Sequence, residues 1–223
     1  MSLNTETVKP QRLHLDRRLK TVAEMVRLDK RIADIGTDHA FVPCYLSKQG
    51  AKGVIATDIS DGPLACAKAA TELYGVTDVT LIKCDGLDKV PPVDDVIIAG
   101  MGGEMIADII SRCSFLNEDM RFILQPMTKD HVLRRELYKM GLEIIEEKTA
   151  AVSKKVYTVM LCAYTGIKKD IDGAFAFLGK NSDALYLEKV LDKLGKMGKG
   201  EPRYLELKKE LEDRFAKEGR LSP

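Results

Sequence analysis

Ala33-Asp34-Ile35-Gly36-Thr37-Asp38-His39-Ala40 closes a short apolar run and opens a stretch with helical spacing. In a doubly wound sheet such a strand-to-helix turn is where a nucleotide-like cofactor lies, because small residues let the backbone approach the ligand and helix N–H groups face it. The dinucleotide fingerprint Gly-x-Gly-x-x-Gly is not met: only Gly36 is present, and Asp38 and His39 occupy the space where a pyrophosphate would meet bare amides. A carboxylate there repels a diphosphate and suits a cationic, amine-bearing ligand. The turn therefore argues against a nicotinamide dinucleotide and for S-adenosylmethionine, whose sulfonium and ammonium are both positive.

Outward from this turn, apolar runs over 31–35, 53–58, 79–84, 95–99 and 121–125 alternate with helical spacing over 40–49, 62–74, 104–113 and 130–140. That rhythm is βαβ, and the continuous apolar character of the early runs fits a parallel sheet covered on both faces. Two more runs, 143–147 and 156–163, have no helix between them and read as an antiparallel hairpin at the sheet edge. Ahead of the sheet, Leu13, Leu15, Leu19, Val22, Ala23 and Val26 form an apolar stripe among basic residues, expected as a helix beside it. After Gly166, Leu187, Val190, Leu191, Leu194 and Met197 recur at helical spacing, glycines interrupt, and Tyr204, Leu207, Leu211 and Phe215 resume it. The expected architecture is α/β: residues 1–166 form a mostly parallel sheet with an antiparallel edge hairpin, and 167–223 a helical hairpin. That hairpin either packs against itself or a twin chain, or holds RNA.

Three further clusters follow successive strands. Asp58-Ile59 lies about 20 residues beyond the glycine turn, where an acid accepts the ribose hydroxyls of an adenosine. Cys84-Asp85-Gly86 offers an acid to the adenine amino group and room for its ring. Ala99-Gly100-Met101-Gly102-Gly103 is a bare loop suited to the methyl group. Acids or glycines after four consecutive strands are more specific than any one motif. The candidate cofactor wall is thus Asp34, Gly36, Asp38, His39, Asp58, Ile59, Cys84, Asp85, Gly86, Ala99, Gly100 and Met101.

Composition sets the outer limits. The chain has 223 residues, 35 Lys+Arg against 34 Asp+Glu and a net charge of +1, so nucleic acid would be held by a local patch rather than by bulk charge. Residues 9–31 carry an excess of basic over acidic side chains, which Arg134, Arg135, Lys154 and Lys155 would extend unless they are simply solvated. No apolar stretch approaches bilayer length, and Met1 to Pro10 is polar, without a leader's apolar core. Cys44, Cys66, Cys84, Cys113 and Cys162 form no Cys-x-x-Cys pair, which indicates reduced thiols in a cytoplasm and no metal site.

Asp34-Ile35-Gly36-Thr37-Asp38-His39-Ala40, Pro43, Asp61-Gly62-Pro63, Asp85-Gly86-Leu87, Ala99-Gly100-Met101-Gly102-Gly103 and Leu124-Gln125-Pro126, in this order, resemble the bacterial tRNA (adenine-N1)-methyltransferase family that modifies position 22 of tRNA. The resemblance implies a Rossmann-like class I methyltransferase domain, S-adenosylmethionine as donor, tRNA as partner and a C-terminal helical coiled coil. By position, Arg18 and Asp38 match residues tied to activity or substrate, and Asp34, Gly36, Asp58, Asp85 and Gly100 match the cofactor wall. Three positions depart: Met127 stands where the family usually has Asn, Thr158 where it commonly has Glu, and Asp58 where a longer Glu is usual. The first two bear on the target-base pocket rather than on the cofactor.

Methyl transfer from a sulfonium is an in-line displacement, so the chain's work is alignment and exclusion of water. Asp38 is expected to meet the adenine amino group or the developing charge, or to cap the next helix, and His39 to serve as wall rather than base. Gly100 to Gly103 offers neither the amide nor the aromatic that exocyclic-amine methyltransferases use, which favours a ring nitrogen. A different methyl acceptor and a tRNA-binding factor with an inactive pocket are the competing readings.

Overall fold

The computed structural model describes residues 13–217. The polar start at Met1 to Pro10, the basic residues Lys9 and Arg12, and the last residues of the helical segment lie outside them. Seven strands form one sheet in the order β3-β2-β1-β4-β5-β7-β6. They are β1 (Ile32–Ile35), β2 (Val54–Asp58), β3 (Val79–Lys83), β4 (Asp95–Gly102), β5 (Arg121–Thr128), β6 (Leu142–Val152) and β7 (Lys155–Tyr164). β1 to β5 pair in parallel, and β7 runs antiparallel to both β5 and β6. The hairpin therefore sits at the edge as expected, but its second strand is the inner one.

Burial explains the order. β1 is buried at all four positions and β4 over its first four. Alternate residues feed two cores: Ile98, Phe122 and Leu124 point to the layer of α4 (Gly103–Ser111) and α5 (Asp130–Lys139), while Ile97 and Ile123 meet α1 (Arg17–Ala23) and α2 (Phe41–Lys48). Each such side chain contributes about 1.5–3 kcal/mol on removal from water. α3 (Asp61–Tyr74) covers β2 and β3. α1 is shorter than the 13–26 stripe because Asp16 caps it, accepting from the Leu19 N–H at 2.8 Å, although Leu15 still packs into the core. Arg27, just beyond it, clasps the fully buried Asp95 through its Nε at 2.9 Å and Nη2 at 2.5 Å.

Two segments depart from the expected pattern. The stretch expected as a connection after 147 is mostly strand, since the β6–β7 ladder continues to Val152 and Lys155 around a left-handed Ser153. α6 (Gly173–Leu178) is too short to show a period; Asp172 caps it, accepting from the Phe175 N–H at 2.7 Å. α7 (Ala184–Met197) and α8 (Arg203–Lys217) form the expected pair around Leu187, Val190, Leu194, Leu211 and Phe215. No helix among the described residues is long and apolar enough to cross a membrane.

A buried polar network ties these helices to the sheet. Arg134 on α5, expected on a basic surface, is fully buried instead. Its Nε donates to Glu147 at 2.8 Å, Nη1 to the Ala176 and Phe177 carbonyls at 2.8 and 3.0 Å, and Nη2 to the Tyr186 hydroxyl at 2.8 Å. Glu147 also accepts from Asn181, which donates to Thr158 at 3.0 Å. Thr158 thus belongs to this junction, not to a base pocket: along β7 it faces away from its neighbour Tyr157. Arg135 is part-buried on the Ile171 carbonyl at 2.9 Å, and only Lys154 and Lys155 of the four are exposed.

Removing one partner of a buried pair leaves a charge stranded. Arg134→Met should destabilise the fold by about 3–5 kcal/mol in urea unfolding. The double variant Arg134→Met/Glu147→Met should recover part of that loss, and a single variant within 0.5 kcal/mol of the parent would refute the assigned role (~0.5 being the usual surface effect).

Candidate functional site

The strand order reverses direction between β1 and β4, and a crevice opens at their carboxyl ends. In the turn after β1, Gly36 (φ +71°), Asp38 (φ +50°) and Ala40 (φ +52°) are all left-handed, so the chain rises steeply before α2 begins. Ala40 is the α2 N-cap and no side chain caps it among the described residues, so Asp38 does not do the capping that was one expectation for it. Its side chain is 69% exposed at the rim, 3.6 Å from the His39 ring, which stacks on Phe41 at 5.2 Å. The left-handed φ favours glycine at Gly36, and a Cβ there would also displace the end of the Met101 side chain, 2.0 Å away.

The loop after β4 is shaped by two register shifts, between Ala99 and Met101 and between Met101 and Gly102. Such bulges re-aim the chain. Gly103 lets α4 start against the turn after β5, since a Cβ would lie 2.4 Å from the Lys129 carbonyl oxygen. The Gly100 N–H donates to Gln125 Oε1 at 3.2 Å, and Arg18 Nη1 donates to the same oxygen at 2.6 Å. Gln125 is fully buried on β5, and Arg18 lies over the Tyr157 ring at 5.9 Å.

Arg18, Asp34, Gly36, Asp38, His39, Ala99, Gly100 and Met101 all line one cleft of about 670 Å³, together with His14, Asp16, Phe41 and Met127. The structure thus brings together most of the expected residues. Asp58, Ile59, Cys84, Asp85 and Gly86 sit beside it, at the ends of β2 and β3, which are joined by the Cys84 N–H to Asp58 carbonyl bond at 3.1 Å. Asp58 accepts from the Ser60 N–H at 3.0 Å, and Ile59 is 61% exposed. Cys84 is buried, with its thiol on the Gly86 carbonyl, and Asp85 pairs with Arg112 at 3.1 Å. Gln125 and Tyr157, missing from the expected wall, are the notable additions. A polar residue inside an apolar strand was the available signal for Gln125; nothing in the spacing marks Tyr157.

Asp34 carries the main electrostatic feature. It is 5% exposed, accepts from the Thr37 hydroxyl at 2.7 Å, and burial pushes its carboxyl up to about 6 despite that bond. A buried carboxylate of this kind is stabilised by a cationic partner. Gly36, the acceptors Asp34 and half-buried Asp58, and the apolar Ile59 together fit an amine-bearing adenosyl group. Among the described residues no cluster of His, Cys, Asp or Glu is arranged to hold a metal ion. Cys44, Cys84 and Cys162 are buried, Cys113 is half-buried and Cys66 exposed, and all are free thiols.

A family model described as a methyltransferase domain matches residues 15–160. The chain is 36% identical over 195 residues to a tRNA (adenine(22)-N(1))-methyltransferase of Bacillus subtilis, covering 82% of each protein. The crystal structure of the B. subtilis tRNA methyltransferase TrmK superposes with a TM-score of 0.75 at 31% identity, over 92% of this chain and 97% of that one. The M. capricolum TrmK structure, in complex with S-adenosyl-homocysteine, gives 0.73 at 25% identity, over 89% and 95%.

The Asp34 carboxyl binds its proton more tightly folded than unfolded, so its cost to stability is absent below about pH 4 and complete above about pH 6. In ligand-free protein, Asp34→Asn should gain up to about 3 kcal/mol at pH 7 relative to its effect at pH 4, read from unfolding midpoints across that range. Parallel pH profiles for the two proteins would refute the raised carboxyl.

Proposed function

Starting from a chain that belongs to the tRNA (adenine(22)-N(1))-methyltransferase family, we propose that it transfers a methyl group from S-adenosylmethionine to N1 of an adenine in tRNA, at position 22. The observation that carries this reading is the shared cleft in which buried Asp34 and open Gly36 lie beside the Arg18–Gln125–Gly100 triad. S-adenosylmethionine supplies, when bound, a methyl group made electrophilic by its sulfonium. Asp34 holds the ammonium end, Asp58 the ribose hydroxyls, and the Asp85 oxygen not engaged by Arg112 the adenine amino group. Ala99, Gly100 and Met101, with His39, Cys84 and Gly86, form the remaining wall.

At the acceptor end, Gln125 accepts from Arg18 and from the Gly100 amide through one oxygen, and with Asp16 at 3.5 Å this holds the guanidinium beside the loop. Arg18 is 17% exposed, which leaves it a face for the phosphate of the target nucleotide. Asp38, at the rim, accepts from the N6 amino group and offsets the positive charge that N1 methylation leaves on the base. N1 lies on the Watson–Crick edge, so the adenine enters unpaired. No strong acid or base is required, because alignment of nucleophile, methyl and sulfur supplies most of the acceleration. In this reading residues 1–166 carry the chemistry, 167–223 form the helical appendage, and the enzyme works on tRNA in the cytoplasm.

Incubation with labelled S-adenosylmethionine and unmodified bacterial tRNA should yield N1-methyladenosine by nucleoside mass spectrometry, and a tRNA with guanine in place of adenine at position 22 should yield none. Methylation of another nucleoside would overturn the reading. Asp38→Ala should lower turnover by about tenfold or more while cofactor affinity stays within a few fold, a transition-state rather than a ground-state loss. Unchanged turnover would remove Asp38 from the mechanism.

A further inference from the structure

A second cleft opens between α5, α6 and α8, separate from the one described above. Its polar lining consists of His131, Arg135 and Arg203, and its floor of Phe177, Tyr204 and Leu207; no acidic side chain is among the described residues that line it. Its volume is about 350 Å³. The His131 ring stacks on Phe177 at 4.5 Å, Tyr204 meets Phe177 edge-on at 5.9 Å, and the Arg203 guanidinium lies 4.9 Å over the Tyr204 ring. The aromatic groups are thus packed against one another, with the Arg203 guanidinium plane lying over the Tyr204 ring.

The cations are only partly spent. Arg135 uses Nη1 on the Ile171 carbonyl at 2.9 Å, and among the described residues no second hydrogen-bond partner takes its other donors. Arg203 uses Nη2 on Glu201 at 2.5 Å and on the Tyr204 hydroxyl at 3.3 Å, but its side chain is 70% exposed, where an ion pair is weak. Asp130, the carboxylate behind His131, is buried and already met by Lys193 at 2.7 Å and Lys189 at 3.3 Å. Positive charge beside an aromatic ring that is covered by a guanidinium plane suits a planar base joined to an anion. The two clefts are also linked through the chain. His131 opens α5 at the carboxyl end of β5, and only Thr128, Lys129 and Asp130 separate it from Met127, which lines the first cleft.

We propose that this cleft is a second RNA-binding site, holding a nucleotide of the substrate that is not methylated: the base packs on the Tyr204–Arg203 platform and the phosphate is taken by Arg135 and Arg203. The proposal rests on tRNA being the substrate. It gives the helical appendage a task, which is to fix a second point on the RNA and so set which adenine reaches the methyl group.

The test measures binding of unmodified tRNA and of S-adenosylmethionine to the full chain and to Arg203→Glu, Tyr204→Ala and Tyr204→Phe. Arg203→Glu and Tyr204→Ala should each weaken tRNA binding about tenfold, the order of one lost stacking or phosphate contact, with the loss appearing in the KM for tRNA. For Arg203→Glu the slope of log Kd against log salt should become shallower by about one. Tyr204→Phe keeps the ring and should bind tRNA as the parent does. Cofactor affinity at the parent value reports an intact fold in each variant, and Arg203, being exposed, makes that variant the decisive one. If the parent binds and methylates tRNA while Arg203→Glu binds it within twofold, the second site is refuted. A parent that neither binds nor methylates tRNA refutes the substrate reading, and the second site with it.

Discussion

The reversal of strand order beside β1 is the constraint from which the rest follows. Crossovers leave β1 toward β2 and β3 on one side and β4 and β5 on the other, so the turns at their carboxyl ends diverge and cannot fill the gap between them. β1 itself is buried throughout, which fixes where that gap lies. Gly36 and Asp34 come to its floor because they end the central strand. The loop after β4 and the buried Gln125 come to its other wall because those strands are the next neighbours.

Much of this was legible in the residues. The apolar runs located every strand, most plainly β1, β4 and β5, because parallel strands buried on two faces have little freedom in composition. Glycines and acids after successive runs marked the crevice for the same reason: side chains at strand ends have one place to point. The resemblance added a reaction and a substrate that periodicity alone does not supply. The alternation along β7 was not legible, and it separates Tyr157, under Arg18, from Thr158, in the far junction. Nor was the burial of Arg134, since an arginine in an amphipathic helix reads as surface until its partners, spread from Glu147 to Tyr186, are known. α6 left no period because it is one short turn capped by Asp172.

Polar groups inside this molecule do two different kinds of work. The Arg18–Gln125–Gly100 contacts orient a charged group at the rim of a cleft, where it remains partly open to a ligand. The Arg134–Glu147–Tyr186 contacts are closed on all sides and hold α6 and α7 against the sheet. Asp34 stands between these cases. It is buried like the second set but among the described residues has only the Thr37 hydroxyl as side-chain donor, and burial raises its carboxyl in the ligand-free protein.

The closed network also has a meaning for how the chain is made. A ribosome delivers α5 and β6 before α6 and α7, so Arg134 and Glu147 emerge as a charged pair ahead of their lid. The carbonyls of Ala176 and Phe177 and the hydroxyl of Tyr186 arrive last and seal it. A chain that stops before α7 therefore lacks the Tyr186 hydroxyl and leaves part of the Arg134 guanidinium without its partner. The same dependence makes the helical segment a poor candidate for gain or loss as a cassette: its inheritance is tied to Arg134 and Glu147, residues that belong to the sheet.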